Sequence, residues 1–227
     1  MKLLQTAAMA SALALSAAFA SAETISVGLQ EVGVNGGMIT TEQQSSTLIA
    51  GNFYSLDFGS VSYGTFILNA FNSTDSVSPA SLNSQSMNTS SSSPGTLIVY
   101  VTQQGVTTPL SSNWLSSFTT NQITNGWTVN EATYYDPGNG LYAETDPLDS
   151  ATLTSSNQVA SSTDPANVTT GMFSLTEVFT ITAIAGGGTA NDTIDLQAVP
   201  EPGTLALLGA GLIGLGFIRR RGTSFRV

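Results

Sequence analysis

From Glu23 to Ala198 the chain contains no lysine, arginine, histidine or cysteine. Its five basic residues are Lys2, Arg219, Arg220, Arg221 and Arg226, all outside that stretch. Fourteen of the fifteen acidic residues, all but Glu201, lie inside it. This one-sided charge constrains the fold more than any local pattern does. No carboxylate in the body has an oppositely charged partner, so each must be solvated, hydrogen-bonded or bound to a cation. Their mutual repulsion is relieved only by screening, bound ions or protonation.

The same absences remove whole classes of chemistry. Without cysteine there is no disulfide, no thiolate nucleophile and no thiolate metal site. Without histidine the usual general base and the commonest metal ligand are missing. Without lysine there is no Schiff base and no lysine–asparagine crosslink. A body this acidic repels nucleic acid, anionic lipid and anionic polysaccharide unless divalent cations bridge them. Nucleic acid is therefore not an expected partner.

The body reads as all-β. Short β-branched and aromatic runs are expected as strands over Thr24–Leu29, Thr47–Ala50, Phe53–Phe58, Ser62–Phe71, Thr96–Thr102, Trp127–Tyr135, Gly171–Ile184 and Thr193–Leu196. The clearest alternation runs from Leu175 to Ile184, placing Phe179, Ile181 and Ala183 inward and Thr180 and Thr182 outward. Residues 96–102 are apolar on both faces, which places that strand centrally. Turn signals separate the runs at Asn35-Gly36-Gly37, Pro94-Gly95, Asn125-Gly126, Asp136-Pro137-Gly138-Asn139-Gly140 and Gly186-Gly187-Gly188. No sustained helical period is present. The expected architecture is an antiparallel two-sheet sandwich, jelly-roll-like, with Asn72–Ser93 and Ala151–Asn167 as long Ser/Thr/Asn-rich surface loops.

Two constellations in the body have alternative uses. Asp136, Asn139, Glu144, Asp146 and Asp149 supply oxygen ligands of the kind Ca²⁺ takes, without an EF-hand pattern; the other reading is a solvated acidic turn. Trp114, Trp127, Tyr134, Tyr135 and Tyr142 either form a sugar-stacking platform or fill the core and its rim. Sequons at Asn72, Asn88, Asn167 and Asn191 follow from the Asn- and Thr-rich composition.

The ends of the chain carry addresses. Met1-Lys2, an apolar and small-residue run from Leu3 to Phe19, and Ala20-Ser21-Ala22 make a signal peptide with an A-x-A site. Export through the Sec machinery and cleavage by signal peptidase after Ala22 are expected, leaving Glu23 first. At the other end, Pro200-Glu201-Pro202 forms a rigid extended spacer. An uncharged segment, Thr204 to Ile218, follows, and Arg219 to Arg221 close it as a stop-transfer signal on the cytoplasmic flank. A helix from Gly203 to Ile218 reaches about 24 Å, short of a hydrocarbon core of about 30 Å, so it spans with snorkelling flanks or local thinning.

Pro-Glu-Pro, a glycine-rich apolar helix and an arginine cluster in this order resemble the PEP-CTERM sorting signal of Gram-negative bacteria. The resemblance implies recognition by an exosortase in the inner membrane and a role at the cell surface or in an exopolysaccharide-rich biofilm matrix, with exopolysaccharide as a further partner. Ala206, Ala210 and Gly214 recur every four residues and offer a small-residue face for packing against another transmembrane helix. Gly209-Ala210-Gly211-Leu212-Ile213-Gly214 also fits a dinucleotide fingerprint, but inside an anchor, with no preceding strand, it has no βαβ unit to serve. The expected organisation is a signal peptide (1–22), an acidic β-sandwich (23–198), a sorting and anchor segment (199–222) and a short cytoplasmic tail (223–227). The expected function is a non-enzymatic exported structural protein with no required cofactor. The rivals are a Ca²⁺- or carbohydrate-binding module and a two-carboxylate glycosidase, for which no acidic pair stands in a recognisable motif.

Overall fold

The computed structural model describes residues 23–199 except 46, 51–52, 70, 78–79, 108–112 and 167–170. The signal peptide with Ala20 and Ala22, the Pro-Glu-Pro spacer, the anchor with Ala206, Ala210 and Gly214, and Arg219 to Arg221 lie outside the described residues. Among the described residues the chain is all β apart from one 3₁₀ turn at Asn35–Gly37. No helix among them is long and apolar enough to cross a membrane.

Two antiparallel sheets face each other. The first has six strands in the spatial order β12 (Asp146–Leu153), β11 (Thr128–Asp136), β14 (Phe173–Ala183), β9 (Gly95–Val106), β1 (Thr24–Glu31) and β2 (Thr40–Ser45). The second has nine. Seven run in the order β13 (Gln158–Pro165), β10 (Asn113–Ile123), β15 (Gly188–Ala198), β8 (Ala80–Ser91), β7 (Phe71–Val77), β4 (Phe53–Phe58) and β3 (Thr47–Ala50). The hairpin of β5 (Val61–Tyr63) and β6 (Phe66–Leu68) joins this sheet through β8. From β8 onward successive strands mostly switch sheets, and the orders β8-β15-β10-β13 and β9-β14-β11-β12 are those of a jelly roll.

Period-two burial builds the core. On β14, Leu175, Phe179, Ile181 and Ala183 face inward and are buried, and Thr180 and Thr182 face outward. β9 lies between β14 and β1 and is buried on both faces for most of its length, as its apolar run predicts. Large rings close the two ends of the sandwich. Trp114, Tyr135 and Phe173 pack at one end with centroids 5.1–6.4 Å apart. Phe66 and Trp127 meet edge-on at 6.5 Å at the other.

Three sequence expectations need correction. Residues 72–93 are not a loop: β7 and β8 occupy most of them, with Leu82, Ser84, Met87, Thr89 and Ser91 inward and small polar residues outward. Ser86, at a φ of 54°, makes the bulge that keeps Met87 on the core side. Residues 151–167 likewise hold the end of β12 and all of β13, an edge strand that needs few apolar residues. The expected strand over 62–71 is instead broken at Gly64, whose φ of 59° turns β5 back onto β6. Strands β2 and β10 carry no strong sequence signal and appear only in the fold.

Candidate functional site

The end of the sandwich that bears the sorting segment is the natural site to build. β15 lies between β10 and β8, so the last described strand is internal to its sheet. Its final residues Leu196 and Ala198 are buried, and Ala198 pairs with Trp114. The Val199 amide donates to the Asn113 carbonyl at 2.9 Å, continuing the ladder one residue further. Pro200, next in sequence, has no N–H to continue it. The Pro-Glu-Pro spacer therefore starts one residue beyond the folded body.

Chain connectivity places Glu23, the 137–145 loop and the β14 start at this same end. In that loop Asp136 is the organiser. Its carboxylate accepts from the Gly140 amide at 2.6 Å and the Thr145 hydroxyl at 2.7 Å. Partial burial pushes its pKa up, but these bonds and one from the Gly138 amide outweigh it and hold the group below the ordinary value. Asn139, at a φ of 55°, accepts from the Gly105 amide through Oδ1 at 2.8 Å and from Gln104 through its carbonyl at 2.8 Å. Glu144 is exposed and lies near Tyr100 and Tyr134. Burial first and this negative charge second push the Tyr100 phenol up to about 12. Asp146 opens β12 opposite Tyr135, and Asp149 sits opposite Thr133 and caps the Ser150 amide at 2.8 Å. Asp136, Asn139 and Asp149 thus make separate hydrogen bonds, and among the described residues no group of three or more acidic side chains is placed to hold a metal ion.

The aromatic candidates divide. Trp114, Trp127 and Tyr135 are buried in the core. Tyr134 and Tyr142 lie on the outer side of the six-stranded sheet, where the Tyr142 ring covers Gly28 and packs 5.7 Å from Tyr100. Sequence reasoning missed a shallow groove of about 380 Å³ on the nine-stranded sheet. Asp57, Asn72, Gln85 and the bulge residue Ser86 line it, with Phe58 and Phe71 stacked at 5.1 Å beneath. Asp57 is engaged by the Asn72 amide, and no other feature of the groove points to a ligand.

The comparisons with known proteins bear on the tail. The family described as the PEP-CTERM protein-sorting motif matches residues 198–221. Residues 198–221 carry a PEP-CTERM protein-sorting motif. The matched span starts at Ala198, the last residue of β15, so sorting motif and sandwich share that residue with no linker between them. No curated protein matches the chain. Among solved structures, Arthrobacter globiformis T6 isomalto-dextranase complexed with panose is similar at 12% identity, with a TM-score of 0.30. The alignment covers 75% of this chain and 30% of that one, so the chain spans under a third of that structure's length.

Proposed function

We propose that this chain is an exported, non-enzymatic surface or matrix protein: an acidic β-sandwich delivered by its PEP-CTERM tail and processed by an exosortase. The matched motif at 198–221 carries the reading, because that motif is the exosortase recognition signal. Export follows from the signal peptide expected over 1–22, with the body on the outer side of the inner membrane. A structural role is favoured over catalysis because the body has no histidine, cysteine or lysine and its carboxylates stand in no recognisable catalytic pair. A place in an exopolysaccharide matrix is the role such tails imply.

Intact-mass analysis of surface material tests the processing step. The mature protein is expected to lack Arg219 to Arg221. Recovery of chains ending at Val227 as the dominant form would sink the exosortase reading.

A further inference from the structure

The middle of the sandwich is not apolar. Glu131 on β11, Glu177 on β14 and Asp192 on β15 are fully buried at positions that alternate with core residues, the first two on one sheet and the third on the other. Hydroxyl groups accompany them. Ser84 of β8 donates to Glu177 Oε2 at 2.5 Å, and Ser116 of β10 bonds Thr133 of β11 at 2.7 Å, so polar contacts join the sheets at this level. They do not satisfy the carboxyl groups. Both oxygens of Glu131, both of Asp192 and Oε1 of Glu177 have no hydrogen-bond partner among the described residues. Thr120 stands beside Asp192, and the Thr119 backbone beside Glu131, without closing such a bond.

A second acidic pair lies in the same interior. Asp75 of β7 accepts from the Tyr54 amide at 3.0 Å through Oδ1, and Glu23 takes a long contact of 3.4 Å from Gln103 through Oε2. Their other oxygens are unpartnered. No positively charged side chain stands near these groups. Asp195 of β15 approaches Glu177, and the Tyr54 phenol, raised above its ordinary value, is a neutral neighbour of the Glu23–Asp75 pair. β8, β9 and β10 contribute Ser84, Val101, Ser116 and Thr120, none of which carries charge. With no lysine, arginine or histidine from 23 to 198, no side chain of the body can neutralise an ionised Glu131, Glu177 or Asp192; the α-amino group that cleavage after Ala22 leaves on Glu23 belongs to the Glu23–Asp75 pair.

We propose that this interior seam is a proton-loaded latch: the sheets close with the carboxyl groups of Glu131, Glu177 and Asp192 protonated, and alkaline conditions open the sandwich. An isolated buried carboxylate is too costly to retain, so the group takes a proton instead. Burial first, and the neighbouring Asp192 and Glu177 second, push Glu131 up to about 10. Burial pushes Asp192 up to about 7 and Glu177 well above its ordinary value. Burial also raises Asp75 and Glu23 to about 7 each.

The direction of the pH effect follows. In the unfolded chain these groups ionise in the ordinary carboxylate range; in the folded chain they keep their protons to higher pH. Folding therefore takes up protons in between, and stability falls as pH rises through that window. It is fully present below the ordinary range. For the groups near 7 the loss is complete soon above neutrality, and for Glu131 it continues towards 10.

The test uses the full chain in detergent, with unfolding followed by fluorescence of the buried Trp114 and Trp127 at fixed ionic strength and with EDTA present. Between pH 5 and 8 the unfolding constant is expected to rise at least about tenfold per pH unit, one factor of ten for each proton taken up. Glu131→Gln and Glu177→Gln copy the protonated form. Each is expected to leave stability at pH 5 within about threefold and to lower the pH slope by about one proton. Stability that is flat or rises across this range overturns the proposal, as does an unchanged slope in a folded variant. If the variants do not fold, calorimetry of the unsubstituted chain at pH 6.5 in buffers of different ionisation enthalpy counts the protons released on unfolding; none released overturns it. Millimolar calcium that abolishes the slope at matched ionic strength would assign the seam to a metal ion and overturn the proton reading.

Discussion

At the residue scale, Gly188 has little freedom. A Cβ built there would stand 2.5 Å from the Trp127 indole, which is itself packed against Phe66. Gly188→Ala must displace a buried ring at one end of the core. The expected cost is about 1–3 kcal/mol, the usual range for overpacking, read as a lowered denaturant midpoint. Gly187→Ala is the contrast: at a φ of 79° with nothing near its Cβ, its penalty comes only from the left-handed backbone. An unchanged midpoint for Gly188→Ala would mean that ring contact does not matter at Gly188. The buried acids have a comparable logic. On β14 the alternation that puts Phe179 and Ile181 inward, carried back two residues, also puts Glu177 inward. That position was legible in the sequence by parity; its burial was not, because parity names a face and says nothing of what covers it.

At the scale of elements, β15 decides how the sorting tail can be used. It lies between β10 and β8 and supplies Ile194, Leu196 and Ala198 to the core. Removing it would leave β10 and β8 each unpaired along one edge, in the middle of the sheet, and expose ladder groups. The mature C-terminus is therefore expected at or beyond Val199, although the family match already begins at Ala198. C-terminal sequencing checks this, and a folded mature product ending before Val199 would contradict it. The tail itself was readable from residue order, because proline geometry, an apolar run and a charge cluster are local properties. β8 and β13 were not. Their side chains are mostly Ser, Thr, Asn and small residues, a composition shared by loops, and only pairing with β15 and β10 selects strand.

For the whole molecule, charge outweighs every other feature of the surface. The outer face carries acids and no bases between 23 and 198, so exposed carboxylates repel one another at neutral pH. Raising NaCl from low to physiological ionic strength is expected to raise the melting temperature by screening, since the Debye length falls from about 30 Å at 0.01 M to about 8 Å at 0.15 M. The effect should be larger at pH 8 than at pH 5, where more carboxyl groups are neutral. A melting temperature that falls with salt would show that attractive pairs, rather than repulsion, dominate the surface.

The sequence by itself determined the β class, the inward set on β14, the central place of β9 and the sorting tail. Each depends on period, composition or residue order, which act over a few neighbouring positions. Only the tertiary structure decided that Ser- and Asn-rich stretches become strands and that Asp136 and Asn139 hold the 137–145 loop through separate hydrogen bonds. It alone brings Glu131, Glu177 and Asp192, some 46 and 15 residues apart along the chain, into one buried interior. Burial is a property of two sheets meeting, and no window of sequence contains both.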